Sequence, residues 1–579
     1  MKKYTYGSII LSLSMLASAC SLDEVPESAF TQEEAYQSAT LVYVNTVANI
    51  YSAIGNKFYG SDGGSVHTLQ EFTSDATMLP GRQGDWVDGG KWQNLFLHNF
   101  DPTTSPLSDN WNNLYGLIGL CNNSIDKLET LKSINEAALS YQYEVRAVRA
   151  LCYYYAMDLF GQIPLVTSSQ MGISDVQQSN RSDVFKFVVD ELSECIPHLS
   201  EAKSQSTGEY YGRMTKAVGY MVMAKVALNS PVYTIDNTSR TAYQAFVGDD
   251  KTGNCRASET LGSAVSSKGK SISITLDGQA RNAWETVIYC VEQIEKLGYS
   301  LQTNVADNFS ISNQTSVENI FTRPNDETTY LIYDYNVIRS LHYNHASAIG
   351  KSSWNGACAT VHEMKVMGYG TEDQDPRVDL FFYTGMDYVN ETGTTVDDGV
   401  GGVLEYLPLE AQVDYPKEGE SDKDFKTPHV VKCGGARLKK YQFDLTCQTW
   451  GVCNNDLVIF RYADALLMKA EAEYRNGTGS PLEHINAIRN RVGATPLSSL
   501  TLNDILNERM MEMAWEGVRR QDQIRFCTFT QPTADRYKGV WKNAIVNDYL
   551  DDTEGWTCVY PLPSSVLSLN TNLKQNPGY

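Results

Sequence analysis

Residues 141–166 constrain the fold most, because they predict a helix that needs neighbours on several sides. Their sequence is YQYEVRAVRALCYYYAMDLFGQIPLV. Apolar residues recur at alternating spacings of three and four, as on one face of an α-helix: Val145, Val148, Cys152, Tyr155 and Leu159. Tyr153, Tyr154 and Phe160 add aromatic groups, and Gly161 and Pro164 end the pattern. We therefore expect this helix at the centre of a helical array.

The same periodicity recurs along most of the chain. It predicts helices at 29–54, 111–128, 135–160, 182–199, 215–230, 284–297, 462–476, 482–492 and 502–526. Between residues 319 and 454 it fades into short aromatic runs separated by Gly, Asp and Thr, where we expect loops and short strands. Amphipathic helices in antiparallel pairs favour a mostly α fold of helical hairpins, although no strict 34-residue repeat is visible.

The composition narrows the class of protein. The 579 residues carry a net charge of −22, and no basic cluster could follow a phosphate backbone, which argues against nucleic-acid binding. Tyrosine is abundant, with 35 residues. Its flat apolar face and polar tip suit carbohydrate or peptide surfaces, but also the wet edges of a helical core, which account for most of the 35.

The first residues have the form of an export signal. Lys2 and Lys3 precede an apolar run at 9–19 that is too short to span a bilayer comfortably. The run ends in Leu-Ala-Ser-Ala-Cys, which resembles the bacterial lipoprotein box with Leu one position early, and we expect Cys20 to be lipidated. The alternative is an ordinary signal cleaved near Ala19. Acidic residues directly after Cys20 resemble the export tag of surface lipoproteins, so we expect a lipid anchor on the extracellular face of the outer membrane.

Few features of the sequence point to catalysis or metal binding. No CxxC pair and no HExxH or G-x-S-x-G motif occurs. His342 and His345 lie in a polar loop, and satisfied or solvated histidines are favoured over ligands. An acidic turn at 372–375 could bind calcium weakly, but an exposed turn is the simpler interpretation. We predict no enzyme activity, no catalytic residue, no cofactor and no metal, and leave open whether Cys447 and Cys453 pair.

Nine segments carry a family resemblance: RQGDWVDGG (82–90), WNNLYGLIGLCNNSID (111–126), EVRAVRALCYYYAMDLFGQIP (144–164), DPR (375–377), RYADALLMKAEAE (461–473), INAIRNRV (485–492), ERMMEMAWEGVRR (508–520), YPLP (560–563) and NPGY (576–579). In this order, behind a lipoprotein box, they resemble the SusD/RagB family of outer-membrane nutrient-binding lipoproteins over essentially the whole mature length. The resemblance implies a mostly α fold of tetratricopeptide-like helical hairpins with an irregular insert. It also implies a partner, a SusC-like TonB-dependent transporter, which the family member covers as a lid and supplies with oligomers, usually glycans.

This resemblance suggests how the chain is divided. We expect a signal peptide at 1–19, a lipidated linker at 20–30 and an N-terminal helical region at 31–300. The irregular insert at 301–454 would contribute to ligand binding, and a C-terminal helical region at 455–579 would complete the domain.

Exposed aromatics on loops are the residues we expect to touch a ligand, because a sugar ring stacks on a flat side chain and its hydroxyls bind planar polar groups. Trp86 fits best, in a Gly/Asp-rich loop with Arg82 and Asp85, although it could instead pack against the helices. Trp354 is the second candidate, since family members use the early loop and the insert together.

Three weaker candidates complete the predicted site, namely Asp75, Arg377 and Tyr383. Arg377 could instead be structural, because Asp-Pro-Arg recurs in the family. Trp92, Trp111 and Trp515 are assigned to packing.

We thus expect a cell-surface lipoprotein that binds oligo- or polysaccharides and delivers them to the transporter. The alternative is a RagB-like protein of the same uptake type that binds peptides or proteins, as helical-repeat proteins often do. An extracellular glycoside hydrolase ranks third, because paired carboxylates are common in any acidic chain.

Overall fold

A computed structural model describes residues 32–59, 63–236, 246–247, 255–328, 335–385, 393–415, 428–447, 453–531, 552 and 554–579. The predicted signal peptide, the lipidation site at Cys20, the linker at 20–30 and the aromatic run at 329–333, in the region of expected loops and short strands, lie outside these residues.

The described chain is mostly helical, as predicted. Its helices are α1 (Gln32–Ala35), α2 (Ala39–Thr46), α3 (Ala48–Ile54), α4 (Val66–Glu71), α5 (Lys91–Phe96), α6 (Ser105–Leu131), α7 (Ala137–Phe160), α8 (Arg181–Cys195), α9 (Lys216–Leu228), α10 (Ser230–Tyr233), α11 (Glu259–Ser271), α12 (Ala283–Lys296), α13 (Tyr335–Ser340), α14 (Tyr343–Ala348), α15 (Val361–Val366), α16 (Arg377–Phe381), α17 (Pro428–Cys433), α18 (Tyr462–Asn476), α19 (Pro481–Arg491), α20 (Leu502–Glu512), α21 (Arg519–Arg525) and α22 (Ser564–Leu569).

Short strands join these helices in two-stranded pairs. They are β1 (Thr77–Met78), β2 (Gly81–Trp86), β3 (Ile163–Pro164), β4 (Gln178–Ser179), β5 (Ser273–Leu276), β6 (Gln279–Asn282), β7 (Asn319–Arg323), β8 (Cys358–Ala359), β9 (Phe382–Tyr383), β10 (Asp414–Tyr415), β11 (Arg437–Leu438) and β12 (Leu457–Arg461). The pairs are β1–β8, β2–β10, β3–β4, β5–β6, β7–β12 and β9–β11; only β2–β10 is parallel. Three of the six pairs, β1–β8, β2–β10 and β7–β12, join a strand of the insert to a strand outside it and so hold the irregular region to the rest of the fold.

Helix α7 is central, as the aromatic pattern predicts. Every residue from 147 to 160 is buried. The helix packs against α6 on one side and α8 on the other, and the array continues from α8 to α9, α12, α18 and α19. Tyr153 and Tyr154 donate hydrogen bonds to the Val166 carbonyl and the Gln521 side chain, both at 2.8 Å. These tyrosines therefore serve packing.

Helix boundaries differ from the prediction where partners far along the chain intervene. The predicted helix at 502–526 stops at Glu512 and resumes at Arg519, because Trp515 and Gly517 adopt φ angles of 61° and 75°. The Gly517 N–H donates 2.5 Å to the buried Glu71 carboxylate. The predicted helix at 29–54 is likewise divided into α1, α2 and α3.

A buried ionic cluster lies where the segments 461–473 and 508–520 meet. The Arg461 guanidinium is fully buried and donates to Glu318 at 2.8 Å, to Glu512 at 2.6 Å and to Glu516 at 2.7 Å. Arg491 pairs with Glu318 at 2.6 Å and also with Glu512. The polar residues of these segments thus hold the helices together from inside.

Candidate functional site

The two tryptophans predicted to act together are in contact. The rings of Trp86 and Trp354 lie 6.0 Å apart between centroids at 44° to each other, and both side chains are partly exposed. The Trp86 indole N–H donates 3.0 Å to the Trp354 carbonyl. Two segments separated by more than 260 residues therefore form one aromatic surface, which we call the tryptophan pair.

Local structure explains how Trp86 reaches this position. It ends β2, whose parallel pairing with β10 matches Gly81 to Asp414. Its φ angle of 60° turns the chain there. A Cβ atom on Gly356 would lie 2.5 Å from the Trp86 ring, so the ring fits because residue 356 has no side chain.

Charged and aromatic side chains, which we call the rim, lie next to the pair along the chain: Asp85 precedes Trp86, and the Lys432 carbonyl accepts a hydrogen bond at 3.0 Å from Asn355, which follows Trp354. Asp85 is exposed, and one carboxylate oxygen lies 3.5 Å from the Lys432 ammonium. Lys432 also lies 5.7 Å from the centre of the partly exposed Tyr343 ring. Lys432 and Tyr343 were missed at the level of sequence, because nothing in the sequence near either one indicates that they lie beside Asp85.

Arg82 lies in the interior instead of facing a ligand. Its guanidinium donates to three backbone carbonyls, those of Val431 at 2.6 Å, Gly434 at 3.0 Å and Gly356 at 3.2 Å. The side chain is buried, and it ties β2 to the chain after α17 and to the residues beside Trp354. Its contribution is to hold the aromatic surface together.

Asp75 and Arg377 are also buried, which corrects their assignment as ligand contacts. Asp75 accepts two hydrogen bonds from Arg519, at 2.7 and 2.9 Å. Burial would raise the pKa of Asp75, but the charge and hydrogen bonds of Arg519, together with those of His362, hold that pKa well below its usual value. Arg377 pairs with Asp375 at 2.8 Å and with Glu508 at 2.7 Å, the structural role that the Asp-Pro-Arg motif also allowed.

Tyr383 belongs to a separate apolar cluster in the insert. It packs against a cluster that includes Leu341, Ala346 and Tyr406, and its ring meets that of His345 edge to face, with 5.0 Å between the ring centroids. Burial raises the pKa of Tyr383 and lowers the pKa of His345 to about 4, so both groups are neutral near pH 7. Contact between Tyr383 and a ligand remains a prediction.

The other aromatic assignments are confirmed. Trp92, Trp111 and Trp515 are buried, and Trp92 donates 2.8 Å to Asp88. The cysteines within the described ranges, including Cys447 and Cys453, are buried, and no disulfide joins any two of them. Among the described helices, none combines the length and apolar character that crossing a membrane requires.

Comparison with known proteins finds similarity to one family. Residues 370–579 match the model of the SusD family. The starch-binding protein SusD of Bacteroides thetaiotaomicron is 24% identical over 468 residues, covering 76% of this chain and 73% of that protein. A SusD-like protein of Bacteroides ovatus is 23% identical over 567 residues, covering 93% and 86%.

Solved structures share the fold along almost the whole chain. A laminarin-binding SusD-like protein superposes with a TM-score of 0.61 at 20% identity, covering 94% of this chain and 100% of that one. The surface glycan-binding protein A from Bacteroides thetaiotaomicron, in complex with laminarihexaose, gives 0.62 at 16% identity, with coverage of 92% and 98%. These matches confirm the resemblance drawn from the segments quoted above: the SusD family model covers residues 370–579, and relatives and solved structures described as SusD-like align along most of the chain.

Proposed function

We propose that this protein binds oligo- or polysaccharides at the cell surface and delivers them to a SusC-like TonB-dependent transporter, which it covers as a lid. The observation that carries the proposal is the partly exposed tryptophan pair, bordered by Asp85, Lys432 and Tyr343. The names of the relatives, which specify starch and laminarin, support the same ligand class.

The tryptophan pair and its rim suit a sugar because, like a sugar ring, they combine an apolar face with a polar edge. An indole face covers the C–H groups of a pyranose ring, while a carboxylate accepts and an ammonium donates hydrogen bonds at the hydroxyl edge. One stacked aromatic contributes on the order of 1 kcal/mol beyond its buried area. Affinity in the range of roughly micromolar to millimolar follows, which suits a protein that must release its cargo.

Trp86→Ala and Trp354→Ala should each weaken glycan binding by about five- to tenfold, equivalent to ~1–1.4 kcal/mol. Trp86→Phe should retain most of the affinity, because it keeps an aromatic face and loses only the N–H donated to Trp354. Isothermal titration against a panel of soluble polysaccharides, starch and laminarin included, measures the effect.

Trp556→Ala is a matched control, since Trp556 is also partly exposed but packs edge to face on Tyr579. Equal affinity for the parent and both alanine variants, with unchanged thermal midpoints, would remove the tryptophan pair as the site. Binding of a peptide digest with no response to any glycan would favour the peptide-binding alternative.

Anchoring at Cys20 is a separate part of the proposal. We expect Cys20→Ser to move the protein from the outer-membrane fraction to the soluble fraction, because a lipidated N-terminus supplies the membrane affinity. Immunoblots of fractionated cells measure the distribution. Recovery of both the parent and Cys20→Ser in the soluble fraction would instead favour an ordinary signal cleaved near Ala19. Co-purification of a SusC-like transporter with the tagged protein tests the partner.

A further inference from the structure

A carboxylate, an imidazole and a thiol converge at α17, the helix that also carries Lys432. They belong to Asp398, His429 and Cys433, and one potential ligand atom from each lies within 4.8 Å of the other two. Within the described ranges of the chain, no other group of three His, Cys, Asp or Glu residues meets this condition. The chemistry of the three groups is mixed, which distinguishes the cluster from an ordinary acidic surface.

The local fold holds each of the three groups in place. His429 and Cys433 are four residues apart on α17 and so lie on one face of that helix. Asp398 opens a tight turn in which the N–H groups of Val400 and Gly402 donate to one carboxylate oxygen at 2.9 and 2.8 Å. The other oxygen faces His429 Nδ1 at 2.6 Å.

This arrangement resembles a metal ligand with its supporting shell. Backbone donors fix one oxygen of the carboxylate and leave the second for the site, as ligating carboxylates are usually held. Asp398 and Cys433 are buried, whereas His429 is partly exposed and offers a route from solvent.

We propose that Asp398, His429 and Cys433 bind one divalent metal ion of the zinc class, with a fourth position open to water or an oxygen ligand. Zinc prefers such sulfur, nitrogen and oxygen donors in a tetrahedron, whose edges are roughly 3.4–3.6 Å at usual bond lengths. The Asp398–His429 pair would separate by about 0.8 Å to admit the ion.

The local charges favour the same ion. A carboxylate and a thiolate together balance the two positive charges of zinc, so the bound site is neutral. A neutral site is favoured because the buried guanidinium of Arg437 would repel any excess positive charge there. Arg437 donates to the carbonyls of Gly434 and Gly435, directly after Cys433. A hard cation such as calcium is disfavoured, since it prefers six to eight oxygen ligands.

A bound ion would connect the turn at 398–402 to α17. Lys432 lies on that helix between two of the ligands and contacts both Asp85 and Tyr343. The ion would thus stabilise the helix that carries Lys432 and, through it, the rim of the tryptophan pair. The metal proposal does not depend on the identity of the ligand at that surface.

Zinc titration of chelator-treated protein tests the proposal. We expect one equivalent to bind, and Cys433→Ser and His429→Gln each to weaken binding by roughly tenfold or more. Cobalt(II) as a probe should give the absorption bands of a tetrahedral site with thiolate-to-metal charge transfer. Cys433→Ser should lose the charge-transfer band.

Two control variants match the two ligand substitutions, His429→Gln and Cys433→Ser. His484→Gln removes a histidine that also lies 3.3 Å from a carboxylate, that of Glu473, and Cys290→Ser removes a buried thiol from the helical core. Both should bind zinc as the parent does. If Cys433→Ser fails to fold, the partly exposed His429→Gln carries the test. No binding by the parent at submillimolar zinc, or binding and cobalt spectra unchanged in His429→Gln and Cys433→Ser, would overturn the proposal.

Discussion

Replacing Arg461 by methionine is expected to lower the free energy of unfolding by about 3–5 kcal/mol. The guanidinium is fully buried among Glu318, Glu512 and Glu516, with every ion pair at 2.6–2.8 Å. Methionine fills a similar volume but leaves several carboxylates in the interior without their main counter-charge. Removal of one partner from a buried ionic cluster costs more than the intact cluster contributes, because the remaining charges stay desolvated. Chemical denaturation followed by circular dichroism measures the change.

An exposed ion pair is the control for this variant. Lys186 and Asp190 form an i,i+4 pair on α8 whose side chains are 74% and 60% exposed. Lys186→Met should change stability by less than ~1 kcal/mol. A loss for Arg461→Met no larger than that of Lys186→Met would show that the buried cluster relaxes or admits water.

Glu71→Gln is expected to stabilise the protein increasingly as the pH rises from 5 to 8. Burial raises the pKa of Glu71 to about 7, and hydrogen bonds from Gly517 and Thr77 oppose this shift only in part. A carboxyl whose pKa is higher in the folded state favours folding below its unfolded value near 4.5. That contribution is lost as the pH rises through 7, on the order of 3 kcal/mol in total. Glutamine retains an acceptor for the Gly517 N–H and does not ionise.

The measurement is the difference in unfolding free energy between variant and parent at several pH values. The difference removes the contribution of titrating groups on which Glu71 does not act, such as His67, whose pKa burial lowers to about 4. Glu372→Gln, at an exposed position, is the control for the Glu-to-Gln substitution itself. Parallel pH profiles for Glu71→Gln and the parent would contradict a raised pKa at residue 71. The pKa of Glu363 is also raised, first by burial and then by the charge of Glu71. Glu363 should therefore ionise at a lower pH in Glu71→Gln than in the parent.

The helical frame could be predicted from sequence because its signal is local. The periodicity of 135–160 and 462–476 predicts helices that the structure places at Ala137–Phe160 and Tyr462–Asn476. Apolar spacing within one helix suffices for this. The break after Glu512 could not be predicted, since it depends on Glu71, which lies more than 440 residues away in the sequence and accepts a hydrogen bond from Gly517.

The candidate site also has a part that local sequence predicts and a part that depends on distant residues. Trp86 and Trp354 stand in Gly-rich polar stretches, which is a local sign of a loop that can present an aromatic face. Arg82 and Asp75 stand in similar surroundings, yet both are buried, because Arg82 meets carbonyls of Val431 and Gly434 and Asp75 meets Arg519. The sequence around a charged side chain does not show whether a distant residue will supply the hydrogen bonds or counter-charge that allow it to be buried.

The sequence by itself therefore determined the class of fold, the central place of the helix at 137–160, and the two tryptophans worth testing. These depend on periodicity and composition within some twenty residues. The tertiary structure alone decided which polar residues face solvent, that the two tryptophans touch, and that Asp398, His429 and Cys433 converge. The physical reason is that burial of charge and the assembly of a site depend on contacts between residues that lie from 31 to 446 positions apart in the sequence, which only the folded chain brings together.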